Sequence, residues 1–218
     1  MVDTSVIITN YNKGRFIGRC IRSCLKQSLP RDRYEIIVVD DFSTDNSRIV
    51  IDSFEDEIKK VYLVENMGVA GASNEGIKKA LGSLIIRVDA DDYISENTLL
   101  FFTEILLSNK DIGFVYGDHI LVDDKEDFLG RVDLNNLENV LDHGAGIMFR
   151  KTNIETIGLY DPAMRHAYDY DLLKRYYKNF DGYHLRLPLY RYRQHAGNQT
   201  KLNKRQEYIK KSDAKNNR

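Results

Sequence analysis

Over the first ninety positions, short apolar runs alternate with longer stretches in which apolar residues recur at helical spacing. Val6–Thr9, Tyr34–Asp40, Val61–Val64 and Leu84–Val88 read as strands, and Arg15–Gln27, Asp45–Phe54 and Ala70–Leu81 as the helices between them. The strand runs are apolar without a break, as expected of strands covered on both faces, and the regular alternation predicts βα units. The expected fold is therefore α/β, with a mostly parallel central sheet and helices on both faces. Each strand ends in polar residues: Asn10-Tyr11-Asn12, Asp40-Asp41, Glu65-Asn66 and Asp89-Ala90-Asp91-Asp92. Right-handed crossovers bring these ends to one side of the sheet, where ligands of open α/β sheets bind. A polar site on that rim follows from topology before any motif is considered.

After Asp92 the rhythm changes. A helix is predicted over Glu96–Ser108, a strand at Gly113–Tyr116, and a hairpin of His119–Val122 with Phe128–Val132 around the acidic turn Asp123–Asp127, read as solvated. A strand at Gly146–Arg150, helices at Thr152–Ile157 and Asp169–Asn179, and strands at His184–Leu187 and Tyr190–Gln194 follow. The length of 218 residues suits one domain. It is expected over residues 1–200, with 1–95 as a nucleotide-binding half, 96–200 as an acceptor-side half, and 201–218 as a basic tail.

Composition narrows the function classes. With 32 Lys and Arg against 33 Asp and Glu, no overall field favours nucleic acid. Basic charge concentrates at the C-terminus, in Lys201, Lys204, Arg205, Lys210, Lys211, Lys215 and Arg218, which reads either as a frayed, solvated end or as a membrane-surface contact. Cys20 and Cys24 lie four apart on one helical face, as small core residues do. No leader pattern precedes the first strand, and no apolar run approaches the ~20 residues that span a bilayer. The expectation is a cytoplasmic protein, with peripheral contact at the inner face of a membrane through the tail.

The chemistry concentrates on the predicted rim. Asp89, Asp91 and Asp92 offer the oxygen donors that Mg²⁺ or Mn²⁺ takes together with substrate phosphates; an acidic turn capping the next helix is the other reading. The hydroxyl of Thr9 and the ring of Tyr11 suit a flat base, and Asp40 or Asp41 can accept from a ring N–H, though turn chemistry uses the same residues. Asp45 reads as a helix cap. In Gly68–Gly76 small residues let a helix start close to a ligand within reach of Asn74, but no Gly-X-Gly-X-X-Gly is present.

In order along the chain, Ser5–Asn12, Val38–Asp45, Asn66-Met67-Gly68 with Ala72-Ser73-Asn74, Asp89–Asp92, Ile157–Asp161, Asp169-Tyr170-Asp171 with Arg175, and Tyr192–His195 with Asn198 resemble the motifs of the family 2 glycosyltransferases. The resemblance implies a single GT-A domain and an inverting, metal-dependent transfer of a hexosyl or N-acetylhexosaminyl group. The sugar would pass from a nucleotide-diphosphate donor to the hydroxyl of a saccharide, lipid-linked or protein-linked acceptor, in polysaccharide, lipopolysaccharide or glycoconjugate synthesis. It implies nucleotide contacts from Thr9, Tyr11, Asn12, Asp40, Asp41, Asn66, Gly68, Asn74, Asp89 and Ala90, with Asp89 toward the ribose. It also implies a divalent metal, Mn²⁺ or Mg²⁺, on Asp91 and His195, with Asp92 a weaker candidate. Asp169 would be the catalytic base, with Asp171 as its rival, and Arg193 or Lys201 would face the leaving phosphates. His143–Gly146 would border the sugar or acceptor pocket. One position departs from the family: Tyr168 stands where Glu usually precedes the base. That departure is the ground for the alternative of a non-catalytic nucleotide-sugar-binding module.

Overall fold

The computed structural model describes residues 2–135, 140–141, 144–195, 198 and 205–216. The four expected parallel strands form as β1 (Thr4–Asn10), β2 (Tyr34–Asp40), β3 (Lys59–Tyr62) and β4 (Leu84–Asp89), in spatial order β3-β2-β1-β4. Every residue of β1 and β2 is buried, which is why those runs show no alternation. The register pairs Asn10 with Asp40 and Thr9 with Asp89, so the strand-end acids align on one rim.

Helices α1 (Ile17–Leu25), α2 (Ser47–Asp52), α3 (Gly68–Lys79) and α4 (Thr98–Ser108) flank the sheet. Side chains alternate across it. Val6 and Ile8 pack with Cys20, Ile21, Cys24, Leu99 and Phe102 on one face, and Ile7 and Ile37 pack with Ala72 and Ile77 on the other. Cys20 and Cys24 are fully buried free thiols, as their spacing predicts.

The second half extends the same sheet, giving nine strands in all among the described residues. Here β6 (Ile112–Val122), β7 (Phe128–Val132), β8 (Met148–Arg150) and β9 (Asp181–Arg193) add mixed pairings: β8 lies antiparallel to β4 and β6, and β9 runs parallel to β6. The sheet is therefore parallel across β1–β4 and mixed beyond them. The two strands expected between Gly113 and Val122 are one, as are the two expected between His184 and Gln194. Pro188 lacks the N–H a ladder needs, and the break becomes a shift of register opposite Gly117–His119 rather than an end of the strand.

Two elements were not legible beforehand. The two-residue β5 (Tyr93–Ile94) follows the acidic turn and pairs with Tyr190 and Arg191 of β9. That pairing curls the far edge of the sheet back onto the rim. At the C-terminus, α5 (Lys151–Ile157) and α6 (Tyr168–Tyr177) are followed by α7 (Arg205–Asn216), which docks on α6. The stretch expected to be a frayed tail is thus a seated helix over 205–216: Ser212 is buried against Asp171, and Asp213 accepts from Lys174 and Tyr170. Lys201 and Lys204 lie outside the described residues. No described helix is long and apolar enough to cross a membrane.

Candidate active site

The acidic turn divides its carboxylates between site and scaffold. Asp92 is buried and points inward, accepting the Tyr190 hydroxyl at 2.8 Å and the Arg193 N–H at 2.8 Å. It clips the turn to β9, and burial, followed by the charges of Asp91 and Asp89, pushes its carboxyl well above the usual range. The expected weaker metal ligand is a structural tie. Asp91 faces the rim, with its Oδ2 2.6 Å from Lys13 Nζ and 2.8 Å from His195 Nε2. Burial opposes its charge, but His195 and Lys13 prevail and hold it at about 2. Asp89, raised to about 6, is dominated by burial, with Arg87 pulling down and Asp169 and Asp91 pushing up. Ala90 is buried, its N–H donating to the Thr9 carbonyl at 3.3 Å.

The curled sheet explains how His195 meets Asp91. The imidazole sits two residues past β9, and the β5–β9 pairing carries that end to the turn after β4. The Phe16 ring lies 5.2 Å from it, and its backbone N–H donates to Asn198 Oδ1 at 2.6 Å. Of the two bases expected to face the phosphates, Arg193 is committed elsewhere. It is buried and donates to the carbonyls of Asp91, Asp123 and Asp124 and to Glu126. The turn expected to be solvated, Asp123–Asp127, is accordingly pinned to the rim, with Arg15 and Arg19 reaching it as well.

Around the other strand ends, the expected nucleotide residues build the rim in different ways. Tyr11 is about half exposed, whereas Thr9 is buried. Asn12 adopts φ 52°, and its Oδ1 receives the N–H of Thr44 at 2.8 Å, joining the first two loops. Asp40 is fully buried, accepting from Asn10, the Ser43 N–H and Arg48. Asp41 receives the N–H groups of Met67 and Gly68 at 2.6 and 2.8 Å and so anchors the start of α3. Its carboxyl is raised by burial despite those two donors. Asn66 donates to the Asp41 carbonyl at 3.2 Å, and Gly68 holds φ +75° against Arg165. Asp45, predicted to cap the next helix, stands one residue before the cap at Asn46 and accepts the N–H groups of Ser47 and Gly14, tying the first loop to the start of α2. Both ends of the Asn74 amide bond the Tyr160 backbone, at 2.9 and 3.1 Å.

Tyr160 leads to the remaining acid. Asp169, in the first turn of α6, places Oδ2 2.9 Å from Arg87 Nη2, and Arg87 Nε lies 3.4 Å from Asp89 Oδ1. One buried guanidinium thus bridges the expected base and the expected ribose acid. Tyr160 and Tyr168 cover it, with ring centroids 5.6 and 5.2 Å from its central carbon. The approach of α6 requires a glycine at 144, because a Cβ there would fall on the Cβ of Asp169. His143, predicted beside it, lies outside the described residues. Asp171 faces the other way: fully buried, it accepts from Arg175, Ser212 and Asn216 where α6 meets α7.

Arg87 and Lys13 carry site chemistry that the sequence reading did not assign. For Arg87 a signal existed: a cation inside a strand buried on both faces needs an anionic partner. For Lys13 none did, since one lysine in a polar loop is ordinary. As a metal centre, the described residues supply one carboxylate and one imidazole on a single rim, and no group of three or more ligating side chains occurs among them. Two protein donors are compatible with a hard cation that takes its remaining ligands from substrate phosphates and water.

A family model, glycosyl transferase family 2, matches residues 5–152. A poly(ribitol-phosphate) beta-glucosyltransferase of Bacillus spizizenii is 40% identical over 100 residues, which are 44% of this chain and 16% of that protein. Staphylococcus aureus TarS 1-349 in complex with UDP-GlcNAc superposes with a TM-score of 0.83 at 20% identity, covering 98% of this chain and 66% of that one. The mannosyltransferase PcManGT of Pyrobaculum calidifontis, in complex with GDP-Man and Mn²⁺, gives 0.65 at 22% identity, covering 85% and 54%. The chain thus spans less than two thirds of the length of each of these three. The match over residues 5–152 takes in the β1 loop, the strand-end acids and Gly144, and the chain belongs to glycosyl transferase family 2.

Proposed function

We propose that the chain is the donor-binding, catalytic unit of an inverting, metal-dependent glycosyltransferase. It would move a sugar from a nucleoside-diphosphate donor to an acceptor hydroxyl in polysaccharide or glycoconjugate synthesis. The observation that supports this most directly is the bridge Asp89–Arg87–Asp169, which sets a carboxylate beside the donor acids at a rim that also holds Asp91 and His195.

In this reading Tyr11 and Thr9 face the base and Asp89 the ribose, and Asp91 with His195 would hold Mn²⁺ or Mg²⁺. Bound there, the cation would neutralise charge on the diphosphate. Asp40, Asp41, Asn12, Asn66 and Asn74 serve the donor by fixing the loops that carry those groups. Lys13, 2.6 Å from Asp91, is near enough to the diphosphate position to add its charge. Asp169 takes the proton of the acceptor hydroxyl as that oxygen bonds the anomeric carbon; the carbon–oxygen bond to the diphosphate breaks, and the diphosphate leaves with its electron pair. Displacement from the opposite face inverts the anomeric centre.

The non-catalytic module rested on Tyr168, and the stacking of its half-buried ring over Arg87 gives that residue a place in the site without removing the base. Purified protein is expected to release nucleoside diphosphate from UDP-N-acetylglucosamine or GDP-mannose, given an acceptor, only with Mn²⁺ or Mg²⁺. Full turnover by a double variant with Asp91→Asn and Asp169→Asn would sink the mechanism. Peripheral membrane contact is a separate part of the proposal, carried by exposed Lys210 and Lys211 of α7. Cosedimentation with vesicles containing anionic lipid tests it, and no binding at low salt removes it.

A further inference from the structure

Arg87 is a charge placed where a strand should carry none. The five other residues of β4 are apolar or lie at its acidic end, and the guanidinium is 3% exposed. Burying a cation is costly unless the surroundings answer it. Here the answer is uneven: Nη2 bonds Asp169, while Nε and Nη1 have no hydrogen-bond partner. On the acids, Asp169 Oδ1 and Asp89 Oδ1 are likewise buried without one. A cation kept only for stability would be expected to satisfy its donors, as Arg193 and Arg175 do a short distance away on carbonyls and carboxylates. Two of these atoms, Arg87 Nε and Asp89 Oδ1, face each other as an ion pair at 3.4 Å, so the cluster is held by charge rather than by a full set of hydrogen bonds.

The surroundings fix where that cation can be. Asn74 grips the Tyr160 backbone from α3 at both ends of its amide, so the Tyr160 ring is set from the nucleotide half. Tyr168 is the first residue of α6 and immediately precedes Asp169. With these rings covering the guanidinium, its attraction for the two carboxylates is little screened by water. On the α6 side, Gly144 lets Asp169 come down onto the cluster.

We infer that Arg87 is the positioning residue of the transfer: it orients the Asp169 carboxylate, and it ties that carboxylate to the donor acid Asp89, so that base and donor site are held in one frame. The aromatic ring at position 168 is part of the device, walling the cation from solvent. This inference rests on the glycosyltransferase reading for the role of Asp169, but its geometric content does not depend on turnover.

The test uses the whole chain with Arg87→Met and Arg87→Lys. Donor KM, kcat, calorimetric affinity for UDP with Mn²⁺, and crystal structures of both variants are measured. Misplacing the base without removing it is expected to lower kcat on the order of a hundredfold in Arg87→Met, with KM and UDP affinity within about threefold. Arg87→Lys, which keeps the charge and reaches one acid at a time, is expected to regain about tenfold of that loss. In the Arg87→Met structure the Asp169 carboxylate leaves its position beside Asp89. Equal losses in affinity and kcat, or no recovery with lysine, would mean a purely structural cation and overturn the inference. Should Arg87→Met not fold, a kcat of Arg87→Lys equal to wild type overturns it, and a lowered kcat with unchanged KM supports it. Should the wild-type protein turn over no donor, the proposed function falls, and the inference is decided by the structures: Asp169 unmoved in the variants refutes it.

Discussion

Asp169 and Asp171 stand two positions apart on one helix and face different surroundings. The sequence offers two equivalent acids in the first turn, and residues i and i+2 point to different sides of a helix. Only packing tells which side is the site. Asp169 reaches Arg87 at the rim, whereas Asp171 is consumed by Arg175, Ser212 and Asn216. Asp171→Asn removes one partner of a buried ion pair and is expected to cost about 3 kcal/mol of stability, read from urea denaturation midpoints. Asp169→Asn is expected to lower kcat between about 10² and 10⁴-fold while UDP affinity with Mn²⁺ changes little, which single-turnover kinetics beside calorimetry would check. The strand-end acids were legible because polar residues ending an apolar run have a known place in such sheets. Their division of labour was not: Asp91 and Asp92 are adjacent in sequence, yet one meets Lys13 and His195 at the rim and the other ties β9.

At the scale of elements, the glycines at 144 and 146 show how the second half is allowed to close on the first. Gly146 adopts φ +75° and passes its N–H to the Arg87 carbonyl at 2.9 Å, while a Cβ on it would collide with Tyr190. Gly144→Ala is expected to push the start of α6 outward, lowering kcat by at least about tenfold with a smaller effect on donor affinity; steady-state kinetics decide it. The regular βα units were readable because burial on both faces leaves a continuous apolar signature. By contrast, β5 is two residues long and exists only because β9 is there to pair with it. Helix α7 escaped notice for a related reason, since its apolar content is slight and its seat is polar, through Asp213, Ser212 and Lys215. Removing residues 205–218 is expected to strip Asp171 of two of its three partners and lower the melting temperature by several degrees. UDP binding is expected to persist, as followed by calorimetry below the new transition.

Across the whole molecule, β8 joins the parallel strands β1–β4 to the rest of the sheet, and the middle of the long β6–β9 pair beyond it is held by one buried acid. Asp118 accepts the Leu134 N–H at 2.9 Å, Arg131 at 2.5 Å, and lies 2.7 Å from His184 Nε2. Burial opposes its ionisation, but the Leu134 N–H, Arg131 and His184 outweigh it and hold the carboxyl below the usual range. The folded protein therefore binds this proton less tightly than the unfolded chain, whose carboxyl titrates near pH ~4. The stabilisation is complete above that value and is lost as pH falls through the lower folded value. Asp118→Asn is expected to be less stable at neutral pH and to lose less on acidification below about pH 4, read as urea midpoints across pH. What the sequence determined by itself was the set of parallel strands, the side of the sheet where their polar ends gather, and the motifs that mark the family. These are consequences of local periodicity and of the handedness of crossovers. What only the tertiary structure decided was how the sheet curls: β5 meeting β9 brings His195 to Asp91, and the glycine-lined approach of α6 brings Asp169 to Arg87. Those contacts join residues about a hundred and about eighty positions apart, and no local pattern encodes them, because their energies arise only once the halves are packed.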